Sequence, residues 1–167
     1  MLFRSGQHFA AQHADLNFVV ARDMEGAGRA AAQVKRLARE EYGRDIQVFG
    51  QCYIVCRDTE KEAKEFADYY VNQRGDWEGV RNLLDVLIPN SKSALGADWE
   101  AMASNMIAGY GALPLVGTPE QVVDGLLAFS KAGLDGTTLS WVDYEGGIAQ
   151  FKERILPLMV QAGLREA

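Results

Sequence analysis

Apolar positions recur along the chain with two periods, and the switching between them sketches a fold before any motif is considered. Between Glu25 and Tyr42, Ala27, Ala31, Val34 and Ala38 repeat at the spacing of one helix face. Gly43 follows where a left-handed C-terminal cap is wanted. Ile46 to Cys56 (IQVFGQCYIVC) is β-branched and aromatic and predicts a strand, with Gly50 marking a bulge or a close approach. Thr59 and Glu62 then make a capping box for a helix whose apolar face is Ala63, Phe66, Ala67 and Tyr70. Thr118, Pro119 and Gln121 open another, with Val122, Leu126 and Phe129 on its buried face and Gly133 at its close. Gly136 to Val142 (GTTLSWV) predicts a strand, and Ile148, Phe151, Ile155 and Leu158 a final helix that Pro157 should kink. At the start, Gly6 to Ala14 predicts a short Ala-rich helix and Leu16 to Val20 a brief strand.

From about residue 72 to 114 the periodicity weakens, with Pro89-Asn90-Ser91 as a break. No linker-like composition flanks this stretch, so it reads as an insertion of short helices rather than a second domain. The order is therefore α, β, α, β, α, insertion, α, β, α, an α/β alternation that implies parallel strands joined by right-handed crossovers. Three such strands make only a small open sheet. As part of a barrel they are incomplete, and they would leave two unpaired edges.

Composition changes this picture little. Hydrophobic residues make up 48% and charged residues 24% of the chain, with a net charge of −6. No basic stripe offsets that charge, which argues against nucleic acid or an anionic membrane as partner. The absence of a membrane-length apolar run and of a signal-like start makes the cytoplasm the expected compartment. Cys52 and Cys56 fall on one face of their strand and read as buried, reduced thiols. His8 and His13 lie on different faces of their helix, so a shared metal is not expected.

Candidate chemistry is sparse. Gly26-Ala27-Gly28 lacks the third glycine of a dinucleotide loop, and no phosphate-loop, zinc-protease or nucleophile-elbow pattern occurs. In parallel α/β barrels function sits at the C-terminal strand ends. There Asp23, Asp58 and Asp143 read as helix N-caps rather than catalytic acids. Trp141 either lines an apolar pocket at a strand mouth or packs in the core.

Several segments, in order, resemble the luciferase-like flavin-dependent monooxygenases, most closely the pyrimidine monooxygenase branch. Gly6 to Asp15 (GQHFAAQHAD) is similar to that family's G-x-x-F-A-A-x-H-A-D helix, and Tyr53 to Ala63 (YIVCRDTEKEA) to its strand–helix junction. Leu115 to Val122 (LVGTPEQV) matches a specific family signature. Asp135 to Trp141 and Phe151 to Met159 resemble the last strand and the F-x-x-x-I-L-P-L-M helix. The resemblance implies the C-terminal portion of an eight-stranded (β/α)8 TIM barrel spanning residues 6–167, incomplete as given. It implies reduced FMN as cofactor, supplied by a flavin reductase, with O2 and a small-molecule substrate. The deazaflavin F420 is the alternative cofactor. The complete protein is expected to be a homo-oligomer, and the isolated segment inactive. A non-catalytic flavin-binding or partner module is the alternative function.

The resemblance also suggests site residues. Gly6 would lie at the helix N-terminus that holds the FMN phosphate, although Phe3 stands where the family has a serine. Residues 1–5 match nothing in the family and are set aside as a non-native junction. Met106 to Pro114 aligns with the family's mobile loop, in which Gly109 and Gly111 would permit hinge motion and Tyr110 would contact substrate or flavin; the other reading is a plain surface loop. The arginine that the alkanesulfonate branch carries in this loop is missing, which disfavours a sulfonate substrate. The strands that carry most flavin contacts in the family, and with them the catalytic residues, would lie upstream.

Overall fold

The structure, a computed structural model, describes residues 4–21 and 23–166, so Met1 to Phe3, Arg22 and Ala167 lie outside the described residues. In chain order the elements are α1 (Arg4–His13), β1 (Leu16–Phe18), α2 (Met24–Tyr42), β2 (Gln47–Cys56) and α3 (Glu60–Asp68). A π-helical turn (Tyr69–Gln73) leads to α4 (Trp77–Leu87), α5 (Ser91–Leu95) and α6 (Trp99–Gly109). Then come β3 (Leu113–Gly117), α7 (Pro119–Lys131), β4 (Gly136–Ser140), α8 (Tyr144–Gln150), a second π turn (Phe151–Ile155) and α9 (Leu156–Gln161).

All strand pairs are parallel, and β2 is the spine of the sheet. Successive residues of a strand turn their backbone groups to opposite edges, so hydrogen-bond parity tells which neighbour lies on which side. Gln47 N–H donates to Asp15 O, Phe49 O accepts from Val19 N–H, and Arg57 N–H donates to Gly117 O. These odd-numbered residues place β1 and β3 end to end along one edge. Val48 O accepts from Asp135 N–H, which puts β4 on the other. Among the described residues β4 has β2 as its single neighbour, and the sheet is not closed.

Side chains divide the sheet's faces in the same way. Val48, Cys52, Ile54 and Cys56 point toward the helices and are buried with Ala31, Val34 and Ala38 of α2 and Val122, Leu126 and Phe129 of α7. Gly50 belongs to this face because a Cβ there would lie 2.6 Å from the Phe129 ring and 3.0 Å from Leu134. The register of β2 runs on without a bulge, so close approach is what the glycine serves. The opposite face carries Leu16, Phe18, Phe49, Gln51, Tyr53 and Thr138. Its lower half is open, with Phe18 45% and Leu16 38% exposed.

Several expectations from sequence need correction. The first helix starts at Arg4, the first strand ends at Phe18 rather than Val20, and the last ends at Ser140 rather than Val142. A fourth strand, β3, occupies Leu113–Gly117, where a loop and a helix approach were expected. Its alternation is hidden by Pro114, tolerated because this short strand lies at an edge. The insertion is more regular than its pattern suggests. Helices α4 and α6 bury Val80, Leu84, Trp99 and Ala103 in a small core of their own. Buried Ser91 pins it, accepting from Trp99 Nε1 at 3.0 Å and donating to Asp85 at 2.7 Å. The kink expected at Pro157 takes the form of the π turn just before it. Proline has no N–H for the carbonyl four residues back, and the wider turn relieves the ring's steric conflict there.

Candidate functional site

Helices α2, α3, α7 and α8 each begin shortly after a strand ends, so their N-termini gather at the C-terminal rim of the sheet. Asp23, Thr59, Thr118 and Asp143 cap them, each side chain accepting a first-turn backbone N–H. Asp23 and Asp143 are therefore occupied as caps. Asp58 is not a cap: Thr59 takes that role, and Asp58 pairs with Arg154 at 2.7 Å. The reason is backbone direction, since the helix starts one residue later than an aspartate cap would require.

At this rim, on the face turned away from the helices, a hollow of about 310 Å³ opens between Tyr53, Tyr70, Ile107, Tyr110, Ser140 and Trp141. Tyr53 projects from β2, and α6 rests directly on its ring. A Cβ at Gly109 would lie 2.6 Å from Tyr53 Cγ, so a side chain at this position would hold α6 off the sheet. Tyr70 comes from the π turn after α3 and donates to Ala108 O at 3.1 Å. Burial raises the pKa of both phenols. For Tyr70, already above the usual phenol range, the neighbouring Tyr53 adds to the shift. Both hydroxyls are thus neutral donors at any physiological pH.

The segment Met106 to Pro114, expected as a loop, is the end of α6, a three-residue connection and the start of β3. Tyr110 sits in the left-handed region at φ 55°, followed by Gly111 at φ 80°, and together they close α6. The cap needs that conformation, and a tyrosine adopts it at a cost of about 1–2 kcal/mol. Its ring stands 67% exposed at the mouth of the hollow. Trp141 lies on the helix side, edge-on to Tyr144 and Phe151 at 5.9 Å, and still contributes to the wall of the hollow. Its Nε1 is buried without a partner.

The structure thus brings Gly109, Tyr110 and Trp141 together. Gly111 instead faces a crevice beside Val19 and Gln51, and Gly6 lies in the first turn of α1, away from the hollow's lining. Phe3, which bears on the phosphate position, is outside the described residues. Sequence reasoning missed Tyr53, Tyr70 and Ser140. The odd-numbered, polar-tolerant register of Tyr53 on β2 was a usable signal; Tyr70 owes its position to the π turn, which no periodicity announces. Cys52 and Cys56 are buried free thiols on the helix face, and burial pushes Cys52 up to about 11, partly opposed by the Thr137 hydroxyl at 3.3 Å. His8 is 3.0 Å from the Tyr42 hydroxyl, and His13 packs on Phe9. Among the described residues, no three His, Cys, Asp or Glu side chains are grouped to hold a metal, and no helix is long and apolar enough to cross a membrane.

Comparison with known proteins adds a family context. A family model described as luciferase-like monooxygenase matches residues 5–136. The chain is 30% identical over 159 residues to a protein of Acinetobacter baylyi named pyrimidine monooxygenase RutA, covering 93% of this chain and 43% of that protein. To the FMNH2-dependent dimethylsulfone monooxygenase of Pseudomonas fluorescens it is 22% identical, covering 93% of this chain and 44% of the relative. The chain thus spans less than half the length of these curated relatives. Among solved structures, the long-chain alkane monooxygenase LadA superposes with a TM-score of 0.77 at 24% identity, over 96% of this chain and 39% of that one. At that identity the likeness establishes the fold.

Proposed function

The chain belongs to the luciferase-like monooxygenase family, and from that membership we propose that it contributes the last strands of a (β/α)8 barrel in an FMNH2-dependent monooxygenase. In this reading residues 6–167 act only together with the further strands that close such a barrel. The observation that carries it is the uncovered sheet face ending in an aromatic hollow at the C-terminal strand ends, where parallel barrels place their chemistry.

The lining suits a flavin ring system. Tyr53, Tyr110 and Trp141 offer aromatic surface for a flat tricycle, and the Tyr53, Tyr70 and Ser140 hydroxyls offer polar edges. When bound, reduced FMN supplies the electrons that activate O2. The rest falls to side chains of this chain. Met106 and Ile107 keep water from the hollow, Tyr53, held protonated by burial, donates a hydrogen bond, and Tyr70, whose proton goes to Ala108 O, offers its hydroxyl oxygen as an acceptor. Tyr110, held over the mouth by its left-handed turn, contacts the substrate, Gly111 permits that turn, and Gly109 lets α6 settle on Tyr53. Among the described residues nothing lies within 4 Å of a Cβ at Gly6, in the first turn of ten-residue α1, and this helix start suits the FMN phosphate. Among the described residues no Lys, Arg, Asp or Glu lines the hollow, which favours an uncharged small substrate over a sulfonate. A separate reductase supplies the reduced flavin, and the complete protein associates as a homo-oligomer.

Two measurements test this reading. The 167-residue chain, given reduced FMN, O2 and a panel of pyrimidines and sulfones, should yield no oxygenated product; turnover by the chain alone refutes the shared-barrel reading. In the complete protein, Tyr53→Phe and Tyr110→Ala should each lower turnover by about tenfold or more, the scale of a lost positioning contact. Stoichiometric binding of F420 in place of FMN overturns the cofactor assignment.

A further inference from the structure

A second hollow, of about 240 Å³, lies on the helix side of the sheet between α3 and α8. It meets the sheet-face hollow at Ile54, Trp141 and Val142 but opens the other way. Arg57 and Trp141 each bring a hydrogen-bond donor to its border. Arg57 sits over the Phe66 ring, its Cζ 3.9 Å from the centroid, and gives Nη1 to Cys56 O at 2.7 Å. None of the ion pairs among the described residues includes it. The nearby carboxylates are committed, Asp58 to Arg154 at 2.7 Å and Asp143 to the Gly146 N–H at 3.1 Å. The other donor is the buried, unpartnered Nε1 of Trp141. The Cδ1 end of that indole, next to Nε1, lies against Gly147, which lines the same hollow.

A buried donor left without an acceptor is costly, and a guanidinium stacked on an aromatic ring has its plane held for a planar partner. We propose that this hollow binds the carboxylate of a small organic acid, with Arg57 as its cationic partner and the Trp141 indole N–H donating to one oxygen. Asp143 in the same wall tolerates a monoanion beside Arg57 and opposes a dianion such as phosphate. The volume accommodates a compact acid rather than a nucleotide. The site shares Ile54, Trp141 and Val142 with the sheet-face hollow but takes its charge from Arg57, which lines this hollow and not the other.

The test follows the three indole N–H resonances of the 15N-labelled chain, with Trp141 assigned through Trp141→Phe. Benzoate should move the Trp141 signal saturably while Trp77 and Trp99 stay still, and Arg57→Gln should weaken binding by at least about tenfold, the effect of losing a charge-assisted hydrogen bond. The neutral isostere benzamide serves as a comparison on the unaltered chain, so the outcome stands even where Arg57→Gln folds poorly. Equal saturation by benzamide, a stationary Trp141 signal, or inorganic phosphate binding as tightly as benzoate each overturns the proposal.

Discussion

Replacing Gly109 with alanine probes the contact that shapes the candidate site. In a helix, Gly→Ala ordinarily gains up to about 1 kcal/mol from backbone entropy. Here the new methyl would sit 2.6 Å from Tyr53 Cγ and 2.8 Å from Tyr53 Cβ. Carbon atoms in contact prefer about 3.5–4.0 Å, so α6 must withdraw by roughly 1 Å or the Tyr53 ring must leave its place. Overpacking of this kind costs about 1–3 kcal/mol, which outweighs the helix gain and leaves a net loss of about 1–2 kcal/mol. Withdrawal of α6 also strains the Tyr70 hydroxyl bond to Ala108 O, one residue away. Urea denaturation should show a midpoint lowered by about 0.5–1 M at an unchanged slope. Gly6→Ala is the control: among the described residues nothing lies within 4 Å of its Cβ position, so stability should hold or rise. In a Tyr53→Ala background the cost of Gly109→Ala should largely vanish, giving a coupling of about 1 kcal/mol or more between the two sites. If Gly109→Ala is as costly without the Tyr53 ring as with it, the packing argument is wrong.

Other consequences are open to direct measurement. Tyr110→Gly should raise stability by about 1 kcal/mol in thermal or urea melts, because glycine takes the left-handed φ of 55° without strain; an unchanged midpoint would count against that strain. Thr118→Ala should lose about 1 kcal/mol, since Thr118 accepts from Gln121 N–H while Gln121 reaches back to the Thr118 N–H, and Thr118→Ser should restore most of it. The Cys52 thiol, raised from 9.0 to about 11 by burial, keeps its proton in the folded chain where the unfolded chain loses it. Stability is therefore unaffected by this group below about pH 9 and falls as pH rises from there toward 11; a Cys52→Ala variant should show a shallower decline over that window.

Much of this protein can be read from its residues alone, and the reasons are local. Helix α2 announces itself through Ala27, Ala31, Val34 and Ala38, and its end through Gly43, whose φ is 61°. The capping boxes at Thr59 and Thr118 form as their spacing requires, because both partners lie within one turn. The strand signal of β2 survives because five even-numbered positions from Val48 to Cys56 face a helix layer. The family, too, is legible in ordered motifs such as Leu115 to Val122, which fall within or beside capped helix starts.

What tertiary structure decided depends on partners distant in the chain. Strand β3 exists because the end of β2 offers an open edge to Leu113–Gly117, and a five-residue segment carrying a proline shows no period of its own. The insertion's helices stabilise one another through Trp99 and Leu84, with α4 presenting an apolar face to an α6 that has little amphipathic pattern of its own. Most of the candidate site is of this kind. Tyr53 meets Tyr70 across a π turn, α6 settles on Tyr53 because Gly109 has no side chain, and Arg57 and Trp141 border one hollow from residues 84 positions apart. Periodicity records which face of an element is buried; it does not record what that face meets. That pairing is set when the whole sheet and its helices pack, which is why the sequence identifies the family and the elements while the structure identifies the side chains that share a cavity.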